Sequence, residues 1–138
     1  MKRWLTLFAL VLILISAAVF VWNQFVGSRS GNADSNKEYS VMTSTQLIYL
    51  LNNKQDLQII DLREPFLFKD GHIPGAVNIP FDEFQNRMNE ISPAKPVVFV
   101  CHTGPMGDVT SKILVEQGFK NVSNLKGGMA AWDGPVTK

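Results

Sequence analysis

Pro96-Val97-Val98-Phe99-Val100-Cys101-His102-Thr103-Gly104-Pro105-Met106-Gly107-Asp108 is the stretch whose reading decides the fold. An apolar run leads into the chain's one cysteine and then into a glycine-containing turn. Residues 96–100 read as a central strand and 109–117 as the following helix, with Gly118 as its C′ residue. A thiol between a strand end and a helix start lies where unpaired backbone N–H groups and the positive end of the helix dipole converge. Such surroundings favour thiolate over thiol and hold anions. The bland reading, a cysteine buried as a small hydrophobe, loses ground because the carboxyl edge of an open α/β sheet is where ligand sites form.

Outward from this stretch the pattern alternates. A short strand at 39–42 precedes Thr43-Ser44-Thr45-Gln46, which has the spacing of a capping box opening a helix through Leu51. Residues 57–62 form an apolar strand suited to burial on both faces. A short helix is expected within 63–70, a turn at 71–75 and a brief strand at 76–79. Phe81, Phe84, Met88 and Ile91 recur at helical steps and predict an amphipathic helix that Pro93 ends. A last strand at 122–125 and a closing turn with a short helix at 127–132 complete the soluble part. Strands alternating with helices indicate α/β architecture: a mostly parallel sheet of about five strands, covered by helices on both faces.

The chain has 138 residues, 46% of them hydrophobic, and a formal charge of +1. That is enough for one domain with its own core, and its charge offers no nucleic-acid footprint. One cysteine and two histidines exclude a disulfide framework and make no metal site. Lys2-Arg3 precedes an uncharged run over 4–22 bracketed by Trp4 and Trp22, about 28 Å long as a helix. Residues 1–26 are therefore expected to be a transmembrane anchor, with a cleavable signal peptide as the alternative. Residues 27–38 read as a flexible tether and 39–138 as the folded domain. The basic N-terminus predicts a single-pass protein of a bacterial cell membrane, its N-terminus in the cytoplasm and its domain outside.

Four motifs carry a resemblance. They are Asp61-Leu62-Arg63-Glu64-Pro65, Gly71-His72-Ile73-Pro74-Gly75-Ala76-Val77-Asn78-Ile79-Pro80, Val100-Cys101 with Gly104, and Leu125-Lys126-Gly127-Gly128-Met129-Ala130-Ala131-Trp132. In order and spacing they resemble the signatures of a single rhodanese homology domain covering about 39–132. The resemblance implies a rhodanese-like fold and a sulfurtransferase that carries sulfane sulfur as a persulfide on Cys101. It makes the backbone amides of His102, Thr103, Gly104, Met106 and Gly107 the substrate cradle. Gly104 and Gly107 are expected to let the loop turn those amides inward. Asp61, Arg63 and His72 are expected to support the site by hydrogen bonds rather than to do chemistry. No cofactor is implied. The partners expected are a small sulfur donor with a thiol acceptor, or a redox or sulfur-relay protein, together with the membrane through the N-terminal helix.

Departures from the family pattern are specific. Active members often read Cys-x-x-Gly-x-Arg, and here the arginine position is Met106, so a cationic fork for thiosulfate is absent. Pro105 removes one amide donor. Asp108 would oppose an incoming anion if its side chain faced the pocket. Leu67 stands where a glutamate often partners the arginine of the first motif. An alternative function follows: a catalytically weak or inactive rhodanese-fold module that binds a protein partner or small anion. A phosphatase or arsenate reductase is disfavoured, because a loop without Arg or Lys offers phosphoryl transfer only amides.

Overall fold

The computed structural model describes residues 39–138. The anchor and the tether expected from the sequence lie outside the described residues, and among the described residues no helix is long and apolar enough to cross a membrane. Strands β1 (Ser40–Met42), β2 (Gln58–Asp61), β3 (Val77–Asn78), β4 (Val97–Val100) and β5 (Val122–Leu125) form one sheet in the order β1-β5-β4-β2-β3. Every pairing is parallel. Helices α1 (Ser44–Asn52), α2 (Pro65–Asp70), α3 (Phe84–Arg87) and α4 (Pro105–Glu116) connect them.

Alternation along β4 builds the two core layers. Val97, Phe99 and Cys101 pack with Phe84, Ile91 and Leu114 on one face, where Tyr39 also lies. Val98 and Val100 pack with Leu47 and Ile73 on the other, flanked by the half-buried Met129 and Trp132. The Phe84 and Phe99 rings meet edge to face at 5.6 Å. All four β4 side chains are buried, and each such burial stabilises the fold by about 1.5–3 kcal/mol. The strand leading to the cysteine is further held by pairing on both edges, to β5 and β2.

The capping box forms as the sequence predicts. Gln46 N–H donates to Thr43 Oγ1 at 3.3 Å, and Thr43 N–H donates to Gln46 Oε1 at 2.8 Å. Two helices differ from expectation. The helix expected from Phe81 to Ile91 is only α3 followed by a 3₁₀ turn, Met88–Glu90, and Phe81 is 40% exposed. Its amide donates to Leu62 O at 3.0 Å, which holds Phe81 in the turn at 81–83 that precedes α3. Helix α4 starts at Pro105 rather than near 109. Gly104, at φ +124°, breaks the chain out of the strand, and Pro105 at the first helical position is pre-set for a helix and lacks an N–H that would have had no intrahelical partner.

Candidate active site

Cys101 follows the last residue of the central strand and is 1% exposed. Its Sγ accepts the N–H of Gly104 at 2.8 Å. The early start of α4 changes what lies around it: Met106 and Gly107 belong to the first helical turn, whose amides have no intrahelical acceptor and point out of the helix end. His102 and Thr103 are exposed and form the outer lip, Gly104 is buried, and Met106 is half-buried against the core. Gly107 has no positive φ, so the expectation that it serves loop flexibility is corrected. It is needed for space: a Cβ there would stand 1.9 Å from Asn124 Oδ1.

A clamp closes over the cysteine from the C-terminal motif. Met129 N–H donates to Cys101 O at 2.8 Å and Ala130 N–H to His102 O at 3.0 Å. Gly128, at φ +56°, permits this approach, because a Cβ would lie 2.3 Å from Cys101 O. The sequence motif contained both glycines of this turn without revealing that Gly128 makes room for the Cys101 backbone.

Asp108 is turned into a hydrogen-bond network. Tyr39 Oη–H donates to its Oδ1 at 2.7 Å, and Asn124 Nδ2–H donates to the same oxygen at 3.1 Å. Asn124 Nδ2–H also donates to Gly104 O at 2.9 Å. Burial, and then the bond to Asp108, push the Tyr39 phenol up to about 12. Neither Tyr39 nor Asn124 stood out in the sequence as part of the site. The available signal was a polar pair, Ser123-Asn124, between the apolar residues of the fully buried strand β5.

Asp61 and Arg63 form a buried ion pair on the neighbouring strand end. Arg63 Nη2 lies 2.6 Å from Asp61 Oδ2, and Nε 3.0 Å from Oδ1. Arg63 Nη2 also donates to Gly71 O at 2.8 Å. The arginine thus has its partner two residues away, and the glutamate absent at Leu67 leaves no gap. Asn78 Nδ2 donates to Asp61 O and Arg63 O at 2.9 and 2.8 Å, fixing the β2 exit to β3. His72 stacks on Phe68 at 3.7 Å, with Nδ1 2.9 Å from Phe68 O, and its backbone bridges Thr137. The structure therefore brings Cys101, Gly104, Met106 and Gly107 together, while Asp61, Arg63 and His72 brace the adjoining loops. Among the described residues no group of three His, Cys, Asp or Glu side chains is placed to hold a metal. A groove of about 500 Å³ between β1 and α1 is lined by none of the Cys101 loop residues.

A single thiol stands at a parallel strand's carboxyl end, facing a helix N-terminus, at the sheet edge where open α/β domains place their ligand sites. The chain belongs to the rhodanese-like domain family, which matches residues 43–134. It is 32% identical over 97 residues to the thiosulfate sulfurtransferase GlpE of Pseudoalteromonas translucida, covering 70% of this chain and 89% of that one. It is 34% identical over 105 residues to YrkF of Bacillus subtilis, a candidate sulfur carrier protein, covering 76% of this chain but spanning only 55% of YrkF. The structure of reduced Bacillus anthracis CoADR-RHD matches with a TM-score of 0.63 at 32% identity, over 69% of this chain and 16% of that one.

Proposed function

We propose that this domain is a sulfurtransferase whose Cys101 carries sulfane sulfur as a persulfide. The observation that carries the reading is the Gly104 N–H at 2.8 Å from the Sγ of the chain's one cysteine, at the mouth of α4. The Cys101 thiolate attacks the outer sulfur of a donor persulfide. The Sγ–S bond forms, the donor's S–S bond breaks, and its electron pair leaves on the donor thiolate. The outer sulfur then stands about 2 Å beyond Sγ, closer to the amides of the first helical turn. An acceptor thiolate attacks that sulfur and releases the Cys101 thiolate, so no net oxidant or reductant is consumed. Attack by the thiolate form needs no separate base.

The cradle is made of amides and a helix end, without an arginine fork. This supports a singly charged or neutral persulfide, small or carried by a redox or sulfur-relay protein, over dianionic thiosulfate. The uncharged run over 4–22 behind Lys2-Arg3 supports a bacterial membrane anchor with the domain outside. A second reading, a binding module without turnover, draws on Met106, which is half-buried against the core where a cationic fork would reach substrate.

Intact mass of the full chain after incubation with thiosulfate, a polysulfide or an organic persulfide tests the carrier role. The expected gain is one sulfur atom, absent in Cys101→Ser and reversed by cyanide or thiol. No gain from any donor would refute it in favour of the binding module. For topology, a cysteine placed at the exposed Lys138 in the Cys101→Ser chain should react with an impermeant reagent on intact cells, and reaction only after lysis would reverse the orientation.

A further inference from the structure

Asn124 is a buried amide, 3% exposed, in a strand whose four side chains, Val122, Ser123, Asn124 and Leu125, are all buried. Its register opposite Phe99 sets it under the turn that follows Cys101. Its NH₂ group is fully used, donating to Gly104 O at 2.9 Å and Asp108 Oδ1 at 3.1 Å. Its Oδ1 is buried and has no hydrogen-bond partner. The two acceptors fix the amide's orientation, so rotation cannot relieve that oxygen. The amide thus carries an unpaired buried oxygen while its NH₂ group holds Gly104 and Asp108.

The gain lies at Gly104. Its carbonyl is held by Asn124 and by the Asp108 N–H at 3.2 Å, Pro105 fixes the next φ, and its own φ is +124°. With the carbonyl side pinned, the Gly104 φ of +124° carries its N–H to Sγ at 2.8 Å. Asp108 is in turn held by Tyr39 from the start of the domain.

We infer that Asn124, braced through Asp108 by Tyr39, is a positioning residue that aims the Gly104 amide at the Cys101 sulfur. This rests on Cys101 being the sulfur carrier, and it extends that role to residues that never touch substrate. The charged and titratable groups involved are Asp108 and Tyr39 in the brace and the exposed His102 beside the thiol.

The test is the pH–rate profile of iodoacetamide alkylation at the one cysteine of the full chain, read by intact mass. Asn124→Ala should react about tenfold more slowly than wild type at neutral pH, the scale of losing a charge-assisted hydrogen bond. The two rates should converge at alkaline pH, where every thiol is ionised. Tyr39→Phe should shift the profile the same way by about two- to threefold, since it loosens only the outer end of the brace. Ser123→Ala, on the same strand but bonded to Ser40, should superpose on wild type. An Asn124→Ala profile that superposes on wild type, or is slowed equally at every pH, overturns the inference. If Asn124→Ala fails to fold, Tyr39→Phe decides in the same terms. The readout involves no sulfur donor. A normal wild-type profile in a chain that never loads sulfur would refute the carrier role, whereas intact loading with unmoved variants would refute the brace alone.

Discussion

Gly107→Ala separates space from flexibility as the reason for glycine in the first turn of α4. Gly107 is helical and buried, so alanine should favour the helix by about 1 kcal/mol if backbone freedom were all that mattered. The added Cβ, however, would lie 1.9 Å from Asn124 Oδ1 and 2.6 Å from its Cγ. Neither separation is tolerable, and Asn124 cannot retreat without giving up its bonds to Gly104 O and Asp108. Those bonds, one of them to a carboxylate, are together worth about 2–4 kcal/mol. The clash wins, and the net loss should be about 1–3 kcal/mol, or about 5–15 °C in Tm for a domain of this size. Thermal unfolding by circular dichroism measures it. In an Asn124→Ala background the obstacle is gone, and the same Gly107→Ala change should become neutral or stabilising. A Gly107→Ala protein as stable as wild type, or a penalty that survives in the Asn124→Ala background, would refute the packing argument.

Met106→Arg restores a cation at the helix mouth and should raise thiosulfate turnover in a cyanide assay at least about tenfold, the scale of one charge-assisted contact; no gain would count against a latent sulfurtransferase. Arg63→Met should cost about 3–5 kcal/mol in urea titrations, because it strands the Asp61 carboxylate in a buried site; a loss under about 1 kcal/mol would show that the pair is dispensable. Tyr39 supplies a pH dependence with a definite sign. Its folded value of about 12 lies above the ordinary 10, so its contribution is complete below pH 10 and is lost as pH rises toward 12. Tyr39→Phe should flatten the alkaline fall in Tm over that window, and identical curves for the two proteins would remove Tyr39 from the account.

The strand that carries the cysteine was legible because a strand buried on both faces needs an unbroken apolar run, and Val97 to Val100 supplies one. The capping box was legible because its two hydrogen bonds are local. The start of α4 was not. Gly-Pro-Met-Gly has the composition of a turn, and only the strain taken up by Gly104 allows Pro105 to open the helix. Phe81 misled for a related reason: its spacing suits a helix face, yet its amide is already committed to Leu62 O. Asn124 and Tyr39 belong to the site through the register of β5 and a contact spanning 69 positions, and local sequence carries neither.

The same network explains how an acidic residue is accommodated in the first turn of the helix that faces the thiol. Asp108 suits the helix dipole and holds its own helix end, and its Oδ1 is taken by Tyr39 and Asn124. The positive field left for a substrate comes from amides and a helix end equivalent to about half a charge. A persulfide anion, with a single charge spread over two soft atoms, matches that field. Thiosulfate brings two charges to a cradle whose arginine position holds a thioether. Under the proposed carrier role, charge therefore favours a donor that presents a terminal sulfur on a weakly charged stem.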